Sequence, residues 1–281
     1  MTQKRAPRRR LEAGPRIVLC AGLKSSGSTW LFNVVIELFK AAGRRNVSAF
    51  YADDFGMFPP EAERAGVLIV KCHEPSSSLR FLCRFLDAKI LVTVREPRDA
   101  LASLRQRFGH RFETSLGEMA RQAPLVVELG KSAVVFRYED GFCDRPKSVA
   151  RIATALGLRV DEGERARIFA SLSPEAVKAK IARIERAGGF GGSPTPDRFD
   201  PKTHWHPGHV GDGLIGKYQA LLSADEQKKT LAATGSYCRA FGYEAAMRPR
   251  KKPAGLSGSG KDSAKRRATP RRPSPPPRPR R

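Results

Sequence analysis

Apolar residues recur in two rhythms along this chain. Short unbroken apolar runs occupy residues 16–21, 66–71, 88–94 and 133–137. Between them lie stretches whose apolar positions fall three and four apart, as at Leu31, Val34, Val35, Leu38 and Phe39. The first rhythm predicts strands buried on both faces; the second predicts amphipathic helices. Helices are expected over residues 28–42, 77–86, from about 99, and over 146–156, 162–170 and 223–241. Gly43 stands where the first should stop, and Ser223 followed by Glu226 makes a capping box for the last. Residues 44–66 read as loop, broken by Phe58-Pro-Pro60. Residues 187–216 read as a long Gly-, Pro- and His-rich loop, of the kind that forms lids or binding elements.

Continuous apolar strands alternating with helices give a three-layer α/β fold, with a central parallel sheet covered on both faces. In such sheets ligands sit beyond the carboxyl ends of the strands. Lys24, Lys71, His73, Arg95 and Tyr138 each follow an expected strand closely, so the reactive residues gather at one edge.

Composition adds domain boundaries. A chain of 281 residues accommodates one such domain with tails. Of the formal net charge of +24, five charges lie in residues 1–10 and a net twelve in residues 247–281, which leaves +7 for the body. The expected division is a disordered basic arm over 1–15, an α/β domain over 16–246 and a disordered Arg/Pro-rich tail over 247–281. Such ends suit an anionic partner, a nucleic acid or a membrane surface, although no interleaved aromatics favour base stacking. Cys20, Cys72, Cys83, Cys143 and Cys238 form no CxxC pair, which fits free thiols in a reducing compartment. No apolar run approaches the ~20 residues that span a bilayer, so a cytoplasmic protein without a transmembrane segment is expected.

The segment from Gly22 to Trp30 carries the first chemistry. Strand, Gly-bounded loop and helix start form an anion cradle, to which Lys24 adds charge. Gly22 and Gly27 have the spacing of an ATP-binding P-loop, but Ser28 stands where that motif needs Lys. A P-loop nucleotide or small-molecule kinase is therefore the weaker enzyme alternative, and a non-catalytic nucleic-acid-binding protein acting through its basic ends is a third. Lys71 and His73 lie two apart at a strand end and share a face. Glu74 is a rival base to His73. Arg95 at a strand end and Ser103 on the next helix can converge on one phosphate, for which an arginine fork is suited. Arg98 and Asp99 read as surface and helix-cap residues. The adjacent Glu139 and Asp140 point to opposite faces, which argues against a paired-carboxylate site. His204, His206 and His209 lack a nearby Cys or carboxylate, so no metal is expected.

Five segments in order resemble the sulfotransferases that use 3′-phosphoadenosine 5′-phosphosulfate (PAPS). Lys24-Ser-Ser-Gly-Ser-Thr-Trp30 is similar to their 5′-phosphosulfate loop. Val70-Lys-Cys-His-Glu-Pro75 is similar to their KTHLP-type segment, and the stretch from Val94 to Ser103 to their 3′-phosphate motif. Phe136-Arg-Tyr-Glu-Asp140 resembles their YED segment, and the stretch from Thr203 to Asp212 their late RKGxxGD loop. The resemblance covers about residues 16–220 and implies a P-loop-like fold and sulfuryl transfer to a hydroxyl or amine. The acceptor is a small molecule or a glycan, and PAPS is the donor, with no metal. It implies His73 as general base, with Lys71 and Lys24 stabilising the transferring group. Cofactor contacts follow from Lys24, Ser25, Ser26, Gly27, Ser28 and Thr29 at the 5′-phosphate, and from Arg95 and Ser103 at the 3′-phosphate. Tyr138 falls near the adenine; Trp30 fits either the adenine or a core position at the helix start. His206, Pro207 and Gly208 occupy the late loop. Two departures stand out. An extra Ser puts Ser25 at the family's Lys position, with Lys24 one earlier. His206-Pro207 replaces the Arg-Lys pair, with His209, Arg198 or Lys202 as expected substitutes for the lost charge.

Overall fold

A computed structural model of the chain describes residues 16–190 and 199–243. The expected basic arm, the Arg/Pro-rich tail, residues 191–198 of the long loop (Arg198 among them) and the last three positions of the expected domain lie outside the described residues.

The chain alternates strands and helices from its first apolar run. Strand β1 (Ile17–Gly22) leads into helix α1 (Ser28–Ala41), then β2 (Val47–Tyr51), β3 (Val67–Cys72), α2 (Ser77–Phe85), β4 (Lys89–Val94), α3 (Pro97–Phe108), α4 (Phe112–Gly130) and β5 (Val134–Arg137). Helices α5 (Lys147–Ala155), α6 (Glu162–Ser171) and α7 (Pro174–Arg186) follow. After the long loop come α8 (Tyr218–Leu221), α9 (Ala224–Ala233) and α10 (Gly235–Ala240). All four strand pairings are parallel, in the order β2-β3-β1-β4-β5. The chain leaves β1 to one side for β2 and β3, then returns to the other for β4. The site forms beyond β1, β3 and β4, where the strand order reverses.

Every residue of β1 is buried, and its side chains alternate between two half-cores. Val18 and Cys20 pack with α1, α5, α6 and α7; Leu19 and Ala21 pack with α2, α3, α4 and α10. This is the three-layer α/β arrangement expected from the apolar runs. Among the described residues no helix is long and apolar enough to cross a membrane.

Several elements depart from expectation. Residues 44–66 are not all loop: β2 adds the edge strand, pairing only with β3. Its residues are mostly half-buried, and Ser48 interrupts its apolar run. Helices α4 and α7 were not expected, and α4 carries Pro124 in its interior. The last expected helix is two, α9 and α10, broken at Thr234; the Ser223/Glu226 capping box starts α9. Arg98 is not a surface residue. It is buried, its Nε 2.8 Å from Glu96 Oε1, with its guanidinium carbon 3.9 Å from the centre of the Tyr218 ring. Glu96, not Asp99, caps α3 by accepting from the Asp99 amide at 2.9 Å. Asp99 instead accepts from the Gly216 and Tyr218 amides at 2.6 and 3.1 Å, tying the end of the long loop to α3.

Candidate active site

The anion loop is set by steric necessity at its two glycines. A Cβ at Gly22 would lie 2.2 Å from Thr93 Oγ1, so β1 and β4 approach closely only with glycine there. Gly27 has φ +88°, and a Cβ on it would lie 2.8 Å from Phe142 Cζ. Between them Ser26 is fully buried. Its amide and hydroxyl both donate to Leu23 O, and the hydroxyl lies 2.6 Å from Thr93 Oγ1. Ser26 therefore closes the loop from within rather than lining its outer face. The extra residue, Ser25, sits at φ 64°, in the left-handed region. No side chain caps α1, so its first-turn N–H groups are available to an anion. Lys24 rests its Nζ 2.9 Å from Glu118 Oε1, while its amide donates to Gln122 Oε1; both partners belong to α4.

The end of β3 carries the reactive pair. Lys71 Nζ and His73 Nε2 are 3.2 Å apart, which confirms their shared face. His73 Nδ1 lies 2.7 Å from Gly22 O, and a carbonyl only accepts. The proton is thereby held at Nδ1, leaving the Nε2 lone pair beside the lysine. Burial, and then the Lys71 charge, hold the imidazole well below its ordinary pKa, so it is neutral. Burial also pushes Lys71 down to about 8. Asp53 fixes the backbone here: Oδ1 accepts from the His73 and Glu74 amides at 2.8 Å each, and Oδ2 accepts from the Tyr51 hydroxyl. Glu74 is engaged elsewhere. It pairs with Arg121 at 2.9 Å and accepts from Gln122, and these bonds lower its pKa, so the rival base is occupied.

Beyond β4 and β5 lies a second basic cluster. The Arg95 guanidinium stacks 4.0 Å from the Tyr138 ring centre and donates to Ser25 O and Leu214 O, while its Nε is buried without a partner. Its backbone exchanges two hydrogen bonds with the Tyr237 hydroxyl on α10. Arg107, unnoticed in the sequence, reaches in from the end of α3. Its Nε lies 3.1 Å from Ser103 Oγ, one terminal nitrogen 2.7 Å from Ser25 Oγ, and the other donates to His209 O. Each of these hydrogen bonds ends on an uncharged oxygen. Arg95 is buried and Arg107 half-buried, and cations withdrawn from water without a hydrogen-bonded carboxylate are costly unless an anion joins them.

These groups share one cavity of about 640 Å³. Of the expected site residues it is lined by Lys24, Ser25, Gly27, Ser28, Thr29, Trp30, Lys71, His73, Arg95, Ser103, Tyr138, His206 and Pro207. Ser26 and Gly208 are not among its walls. Trp30 takes a core position at the helix start, buried against Phe142 and donating to Leu172 O at 3.2 Å, and it also lines the cavity. Near His73 the wall is aromatic, with Tyr51 and His204 ring centres 6.0 Å apart and Phe199 stacked on His204. His204 is held down to about pKa 3, by burial and then by Lys71. Among the described residues no group of His, Cys, Asp or Glu is arranged to hold a metal ion.

A parallel sheet with an uncapped helix at the end of β1, a neutral histidine at the end of β3 and a basic cluster past β4 places a candidate anion site at the point where the strand order reverses. The fold is that of solved sulfotransferases. Retinol dehydratase in complex with retinol and PAP superposes with a TM-score of 0.53 at 18% identity, covering 82% of this chain and 83% of that one. The same enzyme with androsterone and the inactive cofactor PAP gives 0.53 and 18%, covering 82% of each chain. Mouse sulfotransferase SULT7A1 complexed with PAP gives 0.53 and 15%, over 79% of this chain and 84% of that one. No protein-family model and no curated protein sequence matches the chain.

Proposed function

We propose that the protein is a PAPS-dependent sulfotransferase. The observation that carries this reading is the joining of three groups in one cavity. These are an uncapped helix N-terminus, a neutral histidine whose unprotonated Nε2 accepts from a buried lysine, and a pair of guanidiniums hydrogen-bonded to no carboxylate. The cavity residues fit the donor. The α1 N–H groups with the Ser28 and Thr29 hydroxyls receive the 5′-phosphate, and Arg95 with Ser103 receives the 3′-phosphate. Tyr138 and Trp30 flank the adenine.

In the reaction, His73 Nε2 takes the proton from the acceptor hydroxyl or amine as that atom forms its bond to sulfur. The bond between sulfur and the bridging phosphate oxygen breaks, leaving PAP. Lys71 steadies the sulfuryl oxygens. Lys24 exchanges Glu118 for the bridging oxygen, where its long side chain compensates for the extra loop residue. The first-turn amides of α1 neutralise the charge that builds on the leaving phosphate. Asp53 positions the base through the backbone amides of His73 and Glu74.

The wall around His73, built of Tyr51, Phe199 and His204, favours a phenol or an apolar alcohol over a charged glycan. Retinol and androsterone, bound by the solved structures above, are alcohols of that kind. The test is transfer of labelled sulfate from PAPS to a panel of neutral phenols, apolar alcohols and anionic sugars. Labelling of the phenols or alcohols is expected; transfer confined to sugars would overturn the acceptor reading, and none with any acceptor would count against the reaction.

A further inference from the structure

Two irregularities of this chain meet at one side chain. One is the extra Ser25 in the anion loop, held at φ 64°. The other is the late loop, where His206-Pro207 offers no fixed cation. Arg107 runs between them. It bonds the Ser25 hydroxyl at 2.7 Å, the Ser103 hydroxyl at 3.1 Å and the His209 carbonyl. The late loop is shaped around it: a Cβ at Gly211 would lie 3.0 Å from Arg107 Cδ, and one at Gly208 would lie 3.3 Å from Arg107 O. Burial, and then the repulsion of the neighbouring Arg95 charge, lowers the Arg107 pKa to about 10, partly offset by Tyr138 and Asp212. Two guanidiniums side by side in a cavity, bonded only to uncharged oxygens, mark the place of a polyvalent anion.

We propose that Arg107 grips the 3′-phosphate of the donor in place of the missing late-loop cations, and that the extra Ser25 is the hydroxyl that aims it. The phosphate is then held from the α3 side by Arg95, Ser103 and Arg107, and the late loop covers it without charging it. Neither His209, half-buried and held well below its ordinary pKa, nor Lys202, exposed and absent from the cavity walls, takes this role. The inference rests on the sulfotransferase reading above.

The test compares adenosine 3′,5′-bisphosphate with adenosine 5′-monophosphate by calorimetry on the full chain. Arg107→Ala is expected to weaken the bisphosphate by about 10- to 100-fold, the loss typical of a hydrogen bond to a charged group, and the monophosphate by less than about threefold. His206→Arg added to Arg107→Ala should restore part of the preference, because it returns a cation to the late loop. A purely structural Arg107 would weaken both ligands equally, and that result, or no loss at all, overturns the assignment. Should thermal melting show that Arg107→Ala does not fold, Arg107→Lys decides: the ratio of the two affinities must fall, since a point charge replaces a fork. An unchanged ratio overturns the proposal. A wild-type chain that binds both ligands equally removes the 3′-phosphate reading itself, and the assignment with it. A wild-type preference that survives every variant removes Arg107 alone.

Discussion

Replacing His73 by alanine isolates the proton-transfer step. The imidazole is buried, with Nδ1 fixed at 2.7 Å from Gly22 O and Nε2 at 3.2 Å from Lys71 Nζ. Its removal deletes the neutral base that lies 3.2 Å from Lys71 Nζ. A positioned general base contributes about 10²- to 10⁴-fold, or about 2.7–5.5 kcal/mol of barrier. The basic cluster around Arg95 and the start of α1 are untouched, so affinity for PAP should stay within about threefold, and kcat should fall with kcat/KM. The lost bond to Gly22 O should cost about 1–3 kcal/mol of folding stability, readable separately by urea denaturation. Initial rates of labelled-sulfate transfer from PAPS supply the assay. The wild-type pH profile adds a second check. Burial keeps His73 neutral well below pH 6.5, so the rate should show no acid limb near that value. It should decline above about pH 8, where Lys71 loses its proton. A variant whose kcat stays within tenfold of wild type, or an acid limb near 6.5, would refute the assignment of the base.

Other perturbations test the supporting structure. Arg95→Ala should weaken PAP more than adenosine 5′-monophosphate in calorimetry; equal losses would separate Arg95 from the 3′-phosphate. Gly27→Ala should destabilise by about 2–4 kcal/mol in urea, from left-handed backbone strain and displacement of Phe142, and an unchanged midpoint would show that the loop relaxes freely. His73 and His204 both have folded pKa values below the unfolded 6.5. The unfolded chain therefore binds more protons below pH 6.5, and stability should fall with decreasing pH by up to about 1.4 kcal/mol per unit for each. Denaturation midpoints that do not move between pH 6.5 and 5 would contradict their burial as neutral groups.

The fold was legible wherever burial was two-sided. β1, β3 and β4 announce themselves as apolar runs because both of their faces are covered, and β5, an edge strand with only Phe136 buried, does so through its Val-Val-Phe sequence. β2 does not, since Ser48 interrupts its short apolar run. α4 was hidden because Pro124 is a local signal against helix that tertiary packing overrides. In the site, Lys71 and His73 could be paired from their spacing, because strand geometry is local. Asp53 could not, as it acts on His73 across a loop and a strand. Arg107 is the clearest case. Its partners Ser25 and His209 lie 82 and 102 residues away, and only the return of the late loop to α3 brings them together. Ser26 shows the opposite error: a hydroxyl inside an anion loop looks like a ligand group, yet the loop turns it inward to Leu23 and Thr93.

The central claim, a cavity built for a 3′-phosphorylated nucleotide rather than for ATP, is tested most directly by one calorimetric comparison. The full chain is titrated with adenosine 3′,5′-bisphosphate and with ATP and Mg²⁺, at physiological salt so that the basic ends are screened. Tighter binding of the bisphosphate, by about tenfold or more, is predicted from the charged hydrogen bonds that the 3′-phosphate adds. Equal binding, or a preference for ATP, would contradict the account.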